Sequence, residues 1–539
     1  MLKAVSLFTL TAAGVVAAWA WLGATIPMPP SPLQSGEKLY CVSYAPFRGA
    51  QSPLDPATKI EAWQIEQDLA QLGRVSECVR TYSVDFGLDR VPEFARKYGL
   101  KVMLGLWVSS HADRTKYQID IGISLARRFP DVVRAVIVGN EALLRGEVSA
   151  EALGALVRRV KAQVPMPVTY ADVWEFWLRH RELASAVDFV TVHILPYWED
   201  DPIAAAEATN HIDAIRKHVV ANFTGKEVLI GEVGWPSAGR MREAALPSLS
   251  NQARVIHDVL ARGKREEFRV NVIEAYDQPW KRRQEGTVGG YWGLFDDATR
   301  TQKFAWGVPV SDHPHWRWQA GGGIAVAALV FAAALLGRRR AAQEPGLPAW
   351  GAITLNAWAA GVLAGWTVES ALLESLGVGG WARALAFALL AIAAPMAGAA
   401  ALASNVAAPS FAGILGPPDR RAKGLLAVTL GLLAIALVVL ATQSALALAF
   451  DPRYRDFPFA PLTAAAVPFL LLAFTAPRVE GVRPFAEMAA AAVLALCALA
   501  IGWNETPANW QALWFCMALA AVAVSLVRVR AAPERESAA

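Results

Sequence analysis

Hydrophobic and polar positions follow two different rules along this chain. Between residues 40 and 277, short apolar runs rich in β-branched residues alternate with longer segments whose apolar positions recur at helical spacing. The short runs fall at 39–44, 77–82, 101–107, 134–140, 167–172, 188–193, 227–232 and 269–276. The stretch from Ile60 to Leu69 is one of the helical segments between them. Strands alternating with helices predict a parallel sheet. Eight such units in about 240 residues predict an α/β fold, a (β/α)8 TIM barrel.

Elsewhere polar residues nearly vanish. Residues 5–27 follow Lys3 and are long enough to span a bilayer. They read as an uncleaved anchor, because the apolar run continues to Pro27. A cleaved signal peptide ending near Ala18-Trp19-Ala20 is the alternative. After residue 320 the apolar runs are 321–337, 349–371, 381–404, 425–449, 462–476, 486–503 and 509–527, the first and fifth being shortest. Eight spans place both termini on one side. With the N-terminus in the cytoplasm, the inner loops and tails carry Lys3, Arg338, Arg339, Arg340, Arg420, Arg421, Lys423, Arg478, Arg483, Arg528, Arg530 and Arg535. The outer short loops carry only Arg383, Arg453 and Arg455. The positive-inside rule then puts residues 28–320 outside the cytoplasm. Glu369 and Glu374 fall near an outer helix end and are expected at the interface. The expected organisation is a signal-anchor at 1–30, a barrel at 31–318 and an all-α multi-span transmembrane domain at 319–539.

Composition agrees with two compartments. The chain of 539 residues is 55% hydrophobic and 18% charged, against about a quarter charged in an ordinary soluble domain. Residues 31–320 hold 36 basic and 36 acidic side chains, whereas 321–539 hold 14 and 11. The formal charge of +4 is therefore not a property of the soluble part, which excludes a polyanion or nucleic-acid partner. Cys497 and Cys516 lie in apolar runs. Cys41 and Cys78 lie in the soluble part, either bonded in an oxidising compartment or as two buried thiols.

The polar residues of the soluble part gather where the predicted strands end: Tyr44, Arg80, Tyr82, Trp107, Asn140, Glu141, Asp172, His193, Glu232, Glu274 and Asp277. In a barrel those ends share the face that carries the active site. Glu141 closes the fourth strand and Glu232 the seventh, across the mouth from each other. Two carboxyls facing across a cleft suit glycosidic bond cleavage, one as acid and one as nucleophile.

Gly139-Asn140-Glu141 and the stretch Gly231-Glu232-Val233-Gly234-Trp235-Pro236-Ser237-Ala238-Gly239 resemble glycoside hydrolase family 17, the β-1,3-glucanases and glucanosyltransferases. Val79-Arg80-Thr81-Tyr82, Tyr276 to Lys281, and Tyr291 to Phe295 agree, so the resemblance covers roughly 38–306. It implies that Glu141 is the general acid/base and Glu232 the nucleophile. Asn140 would bond the sugar 2-hydroxyl, and Trp235 and Lys281 would line the cleft. Tyr44, Arg80, Tyr82, Asp172, His193, Tyr197, Glu274, Asp277 and Trp292 complete the expected substrate-binding set. Two family glutamates are replaced here, by Gln278 and Gly289. Both changes remove charge from the leaving-group or acceptor side. Glu274 either compensates or pairs with a neighbouring Arg.

Aromatic residues are dense in the expected loops: Trp107, Trp174, Trp177, Tyr197, Trp198, Trp235, Trp280 and Trp292. Such rings stack on sugar faces or pack in cores. Trp235 and Trp292 are expected to touch sugar, and one of Trp174 and Trp177 to be core. No His or Cys pair has metal-ligand spacing, and neither a phosphate-binding Gly-rich loop nor a nucleotide-sugar Asp-x-Asp occurs, so no metal or cofactor is expected. The composition and topology point to a bacterial inner membrane with the barrel in the periplasm. The expected activity is cleavage of β-1,3-glucan and transfer to a glucan acceptor. A hydrolytic endo-1,3-β-glucanase and a non-catalytic glucan-binding or export module are the alternatives. Expected partners are β-glucan, the lipid bilayer, and a glucan synthase or exporter.

Overall fold

A computed structural model describes residues 2–341, 343–418, 421–475 and 481–530. The chain divides into two compact units, one of residues 26–310 and one of residues 1–25 with 311–539.

The first unit is a closed barrel of eight parallel strands in chain order. They are β1 (Cys41–Ser43), β2 (Cys78–Arg80), β3 (Lys101–Leu106), β4 (Val133–Asn140), β5 (Val168–Val173), β6 (Val190–His193), β7 (Val228–Val233) and β8 (Val270–Val272). Each predicted run overlaps one of them, with β4 starting one residue before its run and β5 and β7 ending one residue after theirs. The eighth run was expected to continue to 276, but β8 stops at Val272. Beyond it Glu274 and the Ala275 carbonyl pair with Trp292, Leu294 and Phe295, while the Ala275 N–H still donates to the Ser43 carbonyl of β1.

Side chains alternate along a strand, so residues two apart share a face. Cys41, Cys78, Met103, Ile137, Ala171 and Leu229 form one buried cluster. Two residues further along β1, β2 and β7 stand Ser43, Arg80 and Gly231. The same inward face thus turns from apolar to polar towards the C-terminal ends of the strands, the end where a barrel carries chemistry. The helices cover the outside with apolar faces, as Ala62–Leu72 does by burying Ile65, Leu69 and Leu72. Each such residue contributes about 1.5–3 kcal/mol by leaving water.

Cys41 and Cys78 are bonded to each other, 37 residues apart, linking β1 to β2. Closing a loop of that size stabilises a fold by about 4 kcal/mol in the chain-entropy picture. Replacing both with Ala is expected to lower the barrel's unfolding midpoint and to remove its sensitivity to reductant. Thermal melts of the full chain in detergent, followed by near-UV circular dichroism with and without dithiothreitol, check this.

In the second unit, seven helices among the described residues are long and apolar enough to cross a membrane: Leu2–Leu22, Trp316–Arg338, Leu347–Glu374, Gly377–Ser404, Leu425–Phe450, Phe485–Glu505 and Trp510–Val527. The eighth expected span is the shorter helix Phe459–Thr475, which contains Pro468. Small residues let these helices approach closely. A Cβ on Gly323 would lie 2.2 Å from the Gly361 carbonyl oxygen, and one on Gly337 2.4 Å from that of Ala400. The N-terminal helix is part of this packing, with Val15 and Trp19 fully buried. Glu369 accepts from Gln319 Nε2 at 3.0 Å and lies 3.0 Å from His313 Nδ1.

Candidate active site

Three strands deliver the central groups, and each is irregular where it does so. Register shifts occur between Ile137 and Asn140 on the β4–β5 ladder, and between Val192 and His193 on β6–β7. A third lies between Ile230 and Val233 on β7–β8. Such bulges re-aim side chains at a barrel rim. At the end of β4, Gly139 takes a φ of +90° and Glu141 a φ of +51°. A residue with a Cβ rarely adopts the left-handed region, at a cost of order 1 kcal/mol or more. Bonds from the Glu141 N–H to the Ala171 carbonyl (2.8 Å) and from the Arg145 N–H to the Glu141 carbonyl (2.9 Å) hold it there. Arg145 also donates to the Asn140 carbonyl and, at 2.9 Å, to that of Val108.

Glu232 lies almost fully buried at the bottom of this mouth. Its Oε1 accepts from Arg80 Nη1 at 2.7 Å and from the Tyr82 hydroxyl at 2.8 Å, with His193 Nε2 at 3.6 Å. Burial raises its carboxyl's pKa, but His193, Arg80 and Tyr82 outweigh that, and the net shift is downward. Arg80 uses both terminal nitrogens: it also donates to the Gly231 carbonyl at 2.9 Å through Nη1 and to Asn140 Oδ1 through Nη2. His193 is buried, and its Nδ1 lies 2.9 Å from Glu141 Oε1, on a carboxyl that is a quarter exposed. Gly231 makes room for this arrangement. A Cβ there would lie 2.3 Å from Thr191 Cγ2 and 3.3 Å from His193 Cδ2.

A second group of charges adjoins the first. Glu274 pairs with Lys281 at 2.7 Å, not with an Arg. Burial raises the Glu274 carboxyl's pKa against that ion pair. Glu285 is half-buried after the turn that carries Lys281. Burial pushes its pKa up to about 7, with Lys281 opposing and Glu274, Glu141 and Glu232 reinforcing. Glu285 was not foreseen, because it follows a polar run after the last strand with no pattern to mark it. Ser43 and Asn271 also escaped notice. Asn271 Nδ2 bonds Ser43 Oγ and the Gly231 carbonyl, each at 2.7 Å, and Ser43 Oγ lies 2.9 Å from the Tyr82 hydroxyl. A polar residue inside the apolar run of β8 was the available signal for Asn271.

Of the expected binding residues, Arg80, Tyr82, Asn140, His193, Glu274 and Lys281 join these two groups. The other six are buried in the barrel wall, and most of their polar atoms meet protein groups. The Tyr44 hydroxyl donates to Asp68 at 3.0 Å. Asp172 is buried, accepts from the Tyr170 hydroxyl and the Val173 N–H, and braces the loop after β4. Burial lifts the Asp172 pKa to about 6. Asp277 accepts from Lys303 (2.6 Å) and the Gly293 N–H (2.8 Å), and burial lifts its pKa to about 7. The Tyr197 hydroxyl donates to the Arg240 carbonyl, and Trp235 Nε1 to that of Leu246. Trp235 and Trp292 are 0% and 2% exposed, so their rings pack in the wall rather than offering a face to sugar. The half-buried Trp198 stacks on Trp292 at 6.4 Å. Trp177 is core, and the half-buried Trp174 bonds Glu199.

One ligand atom each from Glu141, His193 and Glu232 lie within 4.8 Å of one another. Distance alone would let them share a cation, a cluster that spacing along the chain could not reveal because three strands supply it. The Arg80 guanidinium, 2.7 Å from Glu232 Oε1, already provides the positive charge at that position.

Comparison with known proteins follows the same residues. Residues 41–293 match the family model of the BtgE/BtgC glycoside hydrolase domain. The chain is 30% identical over 226 residues to a probable β-glucosidase btgE of Aspergillus fumigatus, covering 40% of this chain and 39% of that protein. It is 24% identical over 273 residues to a glucan 1,3-β-glucosidase of Candida albicans, covering 47% and 88%. The chain thus spans about two fifths of the length of the btgE relatives it matches. Among solved structures it is similar to a glycoside hydrolase family 17 β-1,3-glucanosyltransferase from Rhizomucor miehei, at 24% identity, 49% and 95% coverage and a TM-score of 0.44. Over residues 41–293 this chain is therefore similar to the BtgE/BtgC glycoside hydrolase domain.

Proposed function

We propose that the barrel is a retaining β-glucan-active enzyme working outside the cytoplasm. It cleaves a β-1,3-glucan and passes the cleaved glycosyl group to a sugar hydroxyl. The observation that carries this reading is the short gap between the two carboxyls. Oxygens of Glu141 and Glu232 approach within 4.8 Å. Retaining glycosidases hold their carboxyls about 5–5.5 Å apart, whereas inverting ones leave about 6.5–9.5 Å for a water.

The electrostatics support distinct roles. Glu232, held ionised by His193, Arg80 and Tyr82, attacks the anomeric carbon. Glu141, more exposed and bonded to His193, gives its proton to the departing glycosidic oxygen as the carbon–oxygen bond breaks. The leaving sugar departs with that proton, and the glycosyl group stays on Glu232 as an ester. Glu141, now a base, takes the proton of an incoming hydroxyl, whose oxygen displaces Glu232. Asn140, fixed by Arg80, is positioned to hydrogen-bond the sugar 2-hydroxyl.

The names of the relatives, β-glucosidases and a glucan 1,3-β-glucosidase, support a β-glucan substrate. The Cys41–Cys78 bond supports an oxidising compartment. The excess of Arg and Lys in alternate loops supports a periplasmic barrel with both termini inside. The burial of Val15 and Trp19 supports retention of the N-terminal span. A tethered barrel beside a glucan synthase or exporter would meet emerging chains at high effective concentration, which favours transfer over hydrolysis.

The test is to incubate the full chain in detergent with reduced laminari-oligosaccharides and read product masses, linkages and anomeric configuration. Products longer than the donor, with β-configuration kept, are expected. Only shorter products would mean a hydrolase, and binding without turnover a glucan-binding module. Activity is also expected to stay within about twofold in excess EDTA, because the Glu141–His193–Glu232 cluster acts by acid–base and nucleophilic chemistry. Loss of activity restored by a divalent cation would assign the cluster to a metal.

A further inference from the structure

We propose that the helical unit holds an anionic phospholipid: its phosphate sits against Arg483, Arg528 and Arg530, and an acyl chain fills the apolar part of the cavity that these arginines line. Such a site is separate from the reaction proposed for the barrel.

The cavity has a volume of about 440 Å³, within the range of about 300–1,000 Å³ that ligand sites occupy. Its walls are of two kinds. Ala434, Leu437, Val438, Phe469 and Leu472 form an apolar part. Ala434 and Val438 stand nine and thirteen residues beyond the start of helix Leu425–Phe450, which is about 14–20 Å along it at about 1.5 Å per residue. The charged part comes from helix ends. Arg483 stands just ahead of helix Phe485–Glu505, and Arg528 and Arg530 follow helix Trp510–Val527. An amphiphile with one charged end and a hydrocarbon tail matches that division.

The three arginines have charge to spare. None of them forms an ion pair with a described residue, and Arg483 is exposed with no hydrogen bond to one. Arg528 donates through Nε to the Ala473 carbonyl at 2.7 Å, with its guanidinium over the Phe474 ring. Arg530 donates through Nη1 to the Val527 carbonyl at 3.0 Å. These bonds hold the two side chains and leave both Nη atoms of Arg528 and Nη2 of Arg530 free to donate to a ligand. The acid on the same wall is Glu487, 1% exposed, whose Oε1 accepts from the Phe411 N–H at 2.7 Å. Its Oε2 accepts from no protein group, so it does not pair with the arginines. Three arginines against one carboxyl leave at least two positive charges unmatched. A phosphate ester offsets them through charge-assisted hydrogen bonds.

The surrounding surface identifies the occupant. Leu432, Val439, Phe474 and Phe485, near the lining residues in the chain, are exposed apolar side chains. A bilayer covers such a surface and brings its phospholipids to the cavity. The arginines also belong to the loop and tail that the topology proposed above places inside, and basic cavities between helices on that side take up anionic headgroups.

The experiment titrates the full chain in detergent with dioleoyl phosphatidylglycerol and with dioleoyl phosphatidylcholine, which share acyl chains and differ in charge. Native mass spectrometry counts the bound lipid. Wild type is expected to bind its first phosphatidylglycerol about tenfold or more tighter than phosphatidylcholine. Arg483→Gln, which breaks no internal bond, should weaken phosphatidylglycerol about fivefold, the value of one arginine near a membrane surface. It should leave phosphatidylcholine unchanged. Adding Arg528→Gln and Arg530→Gln should abolish the preference. Ala434→Trp, which fills the apolar part, should weaken phosphatidylglycerol with every arginine in place. Unfolding midpoints without added lipid check that each variant folds, and Arg483→Gln carries the test if the others do not. Equal binding of the two lipids by wild type, or a preference that survives Arg483→Gln undiminished, would overturn the inference. Displacement of phosphatidylglycerol by millimolar inorganic phosphate, with Ala434→Trp having no effect, would mark a free-anion site and overturn it as well.

Discussion

Glu232→Gln is expected to lower kcat by on the order of 10⁴-fold or more, the loss seen when a group in covalent catalysis is removed. The amide keeps the shape and one acceptor oxygen, but it cannot form the glycosyl ester. Folding should suffer as well. Arg80 and Glu232 are 1% and 5% exposed, so removing the carboxylate leaves a buried guanidinium without its counter-charge. Breaking a buried pair costs about 3–5 kcal/mol. Near-UV circular dichroism and the unfolding midpoint therefore accompany the rate measurement. The smaller variant Glu232→Ala, supplied with azide, distinguishes a lost nucleophile from a damaged site. Azide attacking the anomeric carbon in place of the carboxylate would restore turnover and invert the product. A folded Glu232→Gln variant with more than about a hundredth of wild-type kcat would remove Glu232 from the nucleophile's role.

Arg80→Ala is the second large effect. Arg80 touches Glu232, Asn140 and the Gly231 carbonyl at once. Its loss is expected to reduce kcat/KM by about 10²–10³-fold near pH 6, the scale of one preorganised electrostatic donor. The pH profile should change in a definite direction. Burial raises the Glu232 pKa, while His193, Arg80 and Tyr82 together hold it below the usual value. Without Arg80 the carboxyl takes up its proton at higher pH, so the acidic limb of kcat/KM moves upward. The defect shrinks as pH rises, because Glu232 is then ionised even without its partner. Arg80→Lys should rescue little, since one ammonium cannot satisfy three acceptors held by a planar fork. A uniform loss at every pH, with the acidic limb unmoved, would show that Arg80 only holds the fold.

The two predictions show how the site divides between what was readable and what was not. Glu141 and Glu232 were expected at one mouth because each follows an apolar run at the end of a strand, and the structure brings their oxygens within 4.8 Å. Arg80 and His193 stand at strand ends as well, and they contact Glu232 and Glu141. Tyr44, Asp172, Asp277, Tyr197, Trp235 and Trp292 stood in equivalent sequence contexts, and the structure buries them in the wall. A strand end brings a residue to the rim, but the neighbours decide whether its polar atom faces the cleft or the wall. Glu285 illustrates the converse: it lies outside every strand, four residues from both Lys281 and Gly289, in a polar run that carries no pattern to mark it.

Periodicity determined that this chain builds eight strands in one ladder order and a set of apolar helices, because side-chain direction repeats every two or 3.6 residues and is local. The 23 residues of Trp316–Arg338 and the other long helices could likewise be counted from the chain. What only tertiary structure decided is pairing: which carboxyl meets which cation, that Cys41 bonds Cys78, that Glu274 meets Lys281, and that three strands bring Glu141, His193 and Glu232 within 4.8 Å. Those contacts join residues from seven to more than a hundred positions apart. Their energies depend on burial and distances of a few ångströms, which the packed barrel sets and local sequence does not encode.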